Sequence, residues 1–171
     1  MFKKGDYIVY DNTGICVIED VTTIDLPGIA KERLYYVMTP YGQTGNRIFT
    51  PVDNPKMNMR KLLSKEETLA LIDEMPDIED IRIEQEKLRE QEYKKCIQSC
   101  ECRNWIRIMK TLYHRKQERV SQGKKITATD ERYYKIAETN LYTEFSLALG
   151  IEKSELEEYI IRRVKGLSDV S

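Results

Sequence analysis

The sequence predicts an α+β protein in two domains: a small N-terminal β-barrel or curled sheet, then an all-α bundle of about four to five helices. Three observations predict it. Short apolar-rich segments with strand-like alternation, separated by turn residues, run to Lys61. A capping-box pattern, Ser64-Lys-Glu-Glu67, then opens a new periodicity. Beyond it, apolar residues recur at helical spacing, punctuated by Gly123, Gly150 and Gly166.

The opening, MFKKGDYIVYDNTGICVIEDV, reads as strand, turn, strand. Ile8 and Tyr10, then Ile15, Val17 and Val21, alternate as inward residues, which sets Cys16 on the other side of its strand. Gly14 supplies the positive φ that a tight Asn12-Thr13-Gly14 turn requires. Five strands are expected: Tyr7–Tyr10, Ile15–Val21, Leu34–Met38, Arg47–Pro51 and Met57–Lys61. Leu26-Pro27-Gly28 and Pro40-Tyr41-Gly42, with Gly45, supply turns between them. Pro51 has no amide hydrogen for a ladder, so it belongs at a strand end or a sheet edge.

The helix opened at Ser64 should stop near Met75-Pro76-Asp77. Ile78 to about Gln98 is expected as one charged helix, and Arg103 to Gln122 as a second, stopped by Gly123. Thr127 or Thr129 caps a third that ends at Gly150. Ser154-Glu-Leu-Glu157 opens a fourth, ending near Gly166. The expected organisation is a β-domain over 1–63, a connecting helix over 64–76, a helical domain over 77–166 and a frayed tail over 167–171.

Composition narrows the function. With 40% hydrophobic and 33% charged residues, the 171-residue chain has no apolar run long enough to span a bilayer. Lys3 and Lys4 have no apolar stretch behind them, so no secretory signal is expected. Four cysteines without a disulfide framework fit a reducing, cytoplasmic setting. There is no glycine-rich phosphate loop, no nucleophile elbow and no zinc-protease motif, so nothing supports an enzyme, a cofactor or a small-molecule substrate. Cys96, Cys100 and Cys102 lack the two close pairs of a zinc site and read as small buried thiols, with no metal expected. His114, the single histidine, has no nucleophile or carboxylate partner evident in the sequence.

The net charge of −1 hides an asymmetry. From Arg103 to Lys125 there are eight basic residues (Arg103, Arg107, Lys110, Arg115, Lys116, Arg119, Lys124 and Lys125) and one acid, Glu118. Such a cluster repels itself unless an anion is nearby, and a polyanion responds to local clustering rather than to net charge. Trp105, Ile108, Met109 and Leu112 form an apolar stripe on the same helix, so Trp105 is expected in the core. Tyr35-Tyr36 and Tyr133-Tyr134 each place one ring inward and leave the other for a partner surface.

The segments FKKGDYIVYDNTGICVIEDV, LYYVM (34–38), TPVDN (50–54) and MRKLLS (59–64) resemble the CarD/CdnL family of bacterial transcription regulators. KTLYHRKQER (110–119), GKKITATDERYYKIAE (123–138) and LYTEFSLALGI (141–151) are similar to that family's helical domain. The resemblance implies a non-catalytic protein with a Tudor-like β-domain. That domain would dock on the β subunit of RNA polymerase through an exposed edge strand, here Arg47, Ile48, Phe49, Thr50 and Pro51. It also implies that the helical domain touches promoter DNA near the upstream edge of the melted region and modulates the open complex. Arg107, Lys110, Arg115, Lys116, Arg119, Lys124 and Lys125 would make that contact, without sequence specificity and with strong salt dependence. One departure stands out. Members of the family insert a tryptophan, followed by an arginine, into the minor groove, whereas this chain reads EDIRIEQEKLRE over 79–90. Arg82 or Glu86 takes the tryptophan's place and Arg89 matches the arginine, which makes Arg82 and Arg89 further DNA-facing candidates. The alternative is a protein-only adaptor with a Tudor-like module and no DNA contact.

Overall fold

The computed structural model describes residues 1–54, 56 and 58–170. It divides into two compact units, Met1–Leu62 and Leu63–Ser171.

The first unit is a five-stranded antiparallel sheet of β1 (Tyr7–Tyr10), β2 (Gly14–Thr23), β3 (Leu34–Pro40), β4 (Ile48–Pro51) and β5 (Met59–Lys61), in the order β4-β3-β2-β1-β5. Met57, expected to start the fifth strand, lies outside the described residues. The sheet curls. Laid flat, β1 and β4 would stand three strand spacings apart, about 14 Å. Instead the Tyr10 hydroxyl comes within 3.5 Å of Thr50 Oγ1. Ile8, Cys16, Ile18, Tyr36 and Met38 fill the concave side, with Phe2, Tyr10, Val21, Ile48, Val52 and Met59 around them.

This places β2 with the opposite parity from the one expected: Cys16 and Ile18 point into the core, and Ile15 and Val17 lie on the other face. Ile8 pairs with Cys16 and Tyr10 with Gly14 across the turn, and Gly14 has a φ of 88°. The turn sets the register, and a one-residue slip would reverse every side chain. A bulge between Ile18 and Asp20 then inserts one residue and restores Val21 to the core side, opposite Tyr36. Val9, Ile15, Tyr35 and Val37 on the other face are also buried, so both tyrosines of the Tyr35-Tyr36 pair are covered.

The second unit holds α1 (Lys65–Glu74), α2 (Arg89–Gln98), α3 (Cys102–Ser121), α4 (Ala128–Leu149) and α5 (Lys153–Val170). The Ser64 capping box forms: its hydroxyl accepts from the Glu67 N–H at 3.0 Å, and Glu67 accepts from the Ser64 N–H at 3.0 Å. Thr127 caps α4 by accepting from the Asp130 N–H at 3.1 Å. Gly150, at φ 68°, ends α4 in the left-handed conformation, and its N–H donates to the Ser146 carbonyl at 2.9 Å. The fifth helix does not stop at Gly166. It runs to Val170, because one interior glycine lowers helix stability by only about 1 kcal/mol. Ser171 lies outside the described residues.

The single helix expected over 78–98 is not formed. Residues 78–85 are an irregular strap, outside helix and strand, followed by a 3-10 turn at Glu86–Leu88 and then α2. The strap's backbone finds its partners on α3 instead of within itself. Lys110 Nζ donates to the carbonyls of Met75, Pro76 and Ile78 at 2.9, 3.3 and 2.5 Å. The Ile81 N–H donates to Thr111 Oγ1 at 2.8 Å, and Arg107 Nε to the Glu79 carbonyl at 3.4 Å. Ile78 and Ile81 are buried. Their i, i+3 spacing mimics a helix face although the chain between them is not helical.

Trp105, Ile108 and Leu112 are fully or almost fully covered, as the stripe predicts. All four cysteines are buried thiols outside any disulfide, and no cluster of metal-binding side chains occurs among the described residues. Likewise, among the described residues no helix is long and apolar enough to cross a membrane.

Candidate functional site

Two surfaces carry the candidate residues, one in each unit. In the first unit β4 stands at the edge of the sheet, with β3 on one side and, among the described residues, no strand on the other. Such an edge offers unpaired backbone donors and acceptors for a further strand. Phe49 pairs with Val37 on the face away from the Ile8 core, so its ring turns outward and is 51% exposed. Thr50 and Ile48 point the other way: Thr50 is buried opposite Tyr36 and Ile48 packs on the core. Arg47 precedes the strand and is exposed, and Pro51 ends it half-buried. Arg33 Nε holds Asp53 Oδ1 at 3.1 Å, and the Val52 N–H donates to the Leu34 carbonyl at 3.0 Å, which fixes the end of the edge strand. The edge thus carries one exposed aromatic ring and, among the described residues, no further strand.

In the second unit the basic stripe does not behave as one surface. Half of its eight cations, Arg103, Arg107, Lys110 and Arg115, have partners that are distant in sequence. Arg103 pairs with Glu74. Arg107 and Lys110 hold the strap. Arg115 Nε meets Asp130 Oδ2 at 2.7 Å and its Nη1 meets Glu86 Oε1 at 2.9 Å. Arg119 Nε donates to the Lys125 carbonyl at 2.8 Å. Arg89 forks onto Glu86, Nε to Oε1 at 2.8 Å and Nη2 to Oε2 at 2.9 Å, and its Nη1 donates to the Tyr93 hydroxyl at 2.9 Å. These hydrogen bonds from Arg89 and Arg115 hold the Glu86 carboxyl down at about 2. His114 Nδ1 lies 2.7 Å from Asp80 Oδ2, a partner its own segment could not reveal.

Lys116, Lys124 and Lys125 remain exposed, and none pairs with a carboxylate among the described residues. Arg82 projects from the strap with its side chain 89% exposed, 3.8 Å from Glu84. The structure therefore separates the candidates into two sets. Arg89, Arg107, Lys110, Arg115 and Arg119 hold the helical unit together. Arg82, Lys116, Lys124 and Lys125 are available to a partner. Sequence reasoning missed Glu74, Asp80, Glu86 and Asp130 as counter-charges, because nothing in their spacing links them to the stripe.

Comparison with curated proteins gives no significant match. Residues 2–63 match the family model described as the CarD-like/TRCF RID domain. The match spans β1 to β5 and stops at the boundary between the two units. The first unit is thus similar to a CarD-like/TRCF RID domain over almost its whole length.

Proposed function

We propose that this protein is a non-catalytic transcription regulator that bridges RNA polymerase and promoter DNA. The CarD-like RID domain supports an RNA polymerase-interacting, transcription-related role. The β-domain docks on the polymerase β subunit by the edge of β4, with Phe49 as the apolar anchor and Arg47, Ile48, Thr50 and Pro51 completing the strand. The observation that carries this reading is the outward Phe49 ring on an unpaired sheet edge within the matched domain.

The helical domain contacts promoter DNA near the upstream edge of the bubble and modulates the open complex. Lys116, Lys124 and Lys125 meet phosphates. Arg82, on the strap where the family's tryptophan is missing, enters the minor groove as a cation rather than a wedge. Tethering through the β-domain raises the local concentration of a weak DNA contact, so affinity for DNA without polymerase is modest. Neither function needs a cofactor or a membrane, and both place the protein in the cytoplasm. A footprint of the polymerase–promoter complex with and without the protein tests this. Added protection at the upstream edge, abolished when Lys116, Lys124 and Lys125 are changed to Gln, is expected. An unchanged footprint would show a protein-only adaptor.

A further inference from the structure

Leu112, Tyr113, Lys116, Ile126, Glu131 and Tyr134 line a partly enclosed concavity of about 380 Å³ between α3, the loop after it and the start of α4. The recess has two aromatic rings in its wall. Tyr113 is 54% exposed, and its hydroxyl accepts from Gln117 Nε2 at 2.8 Å, which steadies the ring. Tyr134 is half-buried, while its neighbour Tyr133 is buried and packs on Tyr93. Cations stand at the rim. Lys116 lines the recess itself. Arg119 holds the loop through the Lys125 carbonyl, so Ile126 enters the wall while Lys124 and Lys125 stay exposed immediately before it.

Aromatic faces beside lysines without carboxylate partners match the two needs of single-stranded nucleic acid: a platform for an unstacked base and cations for its phosphates. A duplex has no free base to offer such a recess. Glu131 adds orientation. Its carboxylate repels phosphate but accepts from the amino group of a base, which turns the base inward and the backbone toward the lysines.

We infer that this recess binds an unstacked base of single-stranded DNA, with the flanking phosphates on Lys116, Lys124 and Lys125. The inference rests on the proposed promoter contact and adds that the contact reaches a melted strand. The test uses the full-length protein at low ionic strength, a labelled short oligodeoxycytidylate, and a labelled duplex of equal length. Tyr113→Ala should weaken oligonucleotide binding about fivefold or more, the range of removing one base–aromatic stack. Duplex binding and the melting temperature should stay unchanged, since Tyr113 is not a core residue. A photoreactive cytosine in the oligonucleotide should attach to the peptide carrying Tyr113 or to that carrying Tyr134. Undetectable oligonucleotide binding by the unsubstituted protein, equal binding by Tyr113→Ala, or attachment elsewhere would overturn the inference. None of these results would remove the upstream footprint, so failure here is distinguishable from failure of the promoter contact itself.

Discussion

Arg115 donates through Nε to Asp130 Oδ2 at 2.7 Å, and this pair joins α3 to the first turn of α4. Asp130 is 2% exposed, so water cannot solvate its charge. A cation that looks surplus in its own segment is thus part of the helical domain's interior. Removing one member of a buried pair leaves the other charged and uncompensated, which costs about 3 kcal/mol or more. Arg115→Ala should therefore lower the melting temperature sharply, while Lys116→Ala, one residue on, should leave it almost unchanged. Thermal denaturation of both variants checks this.

The same distinction should appear in DNA binding. Changing Lys116, Lys124 and Lys125 to Gln should reduce promoter association in the polymerase complex. It should also flatten the salt dependence by about one unit of slope for each phosphate no longer neutralised. The fold should be untouched. Titrating salt in the ternary complex reads the slope directly.

Acid should loosen the network around Glu86. Its carboxyl is lowered from 4.5 to about 2 in the folded protein by the hydrogen bonds of Arg89 and Arg115. A carboxyl depressed by folding binds more protons in the unfolded chain, so its contribution is present above pH 4.5 and fades as pH falls toward 2. Melts between pH 6 and pH 3 should show a smaller acid loss for Glu86→Gln than for the unsubstituted chain. The side chain is 66% exposed, so solvent screening keeps the effect modest.

Cysteine chemistry should be silent in the native state. Burial pushes the Cys16 thiol up to about 11, raises Cys96 as well, and all four thiols are covered. Reaction with an aromatic disulfide reagent at pH 8 should be slow without denaturant and complete with it. Rapid native labelling would contradict the core placement of Cys16.

Much of the fold is legible in the sequence, and the exceptions have physical causes. The strands and their turns are readable because Gly and Pro punctuate them. The parity of β2 is not, because β1 to β3 are covered on both faces and an apolar run carries no in-or-out signal. Only the turn at Gly14 and the bulge after Ile18 decide it. The strap over 78–85 reads as helix because Ile78 and Ile81 keep a helical spacing. It is held instead from α3, by Lys110 on the Ile78 carbonyl, Arg107 on the Glu79 carbonyl and Thr111 on the Ile81 N–H, all far away in sequence. The edge strand that carries Phe49 is legible, but which way the ring turns is settled only when Thr50 and Ile48 take the inner face. The division of the basic stripe is hidden as well, because its counter-charges come from other segments of the chain.

We propose that the β4 edge, anchored by Phe49, holds the protein on the polymerase β subunit. Capture of the full-length protein by the isolated β lobe tests it most directly, with Phe49→Glu alongside. The unsubstituted chain should be retained, and Phe49→Glu should be released while keeping its thermal transition. Equal retention of both, or no retention of either, would contradict the claim.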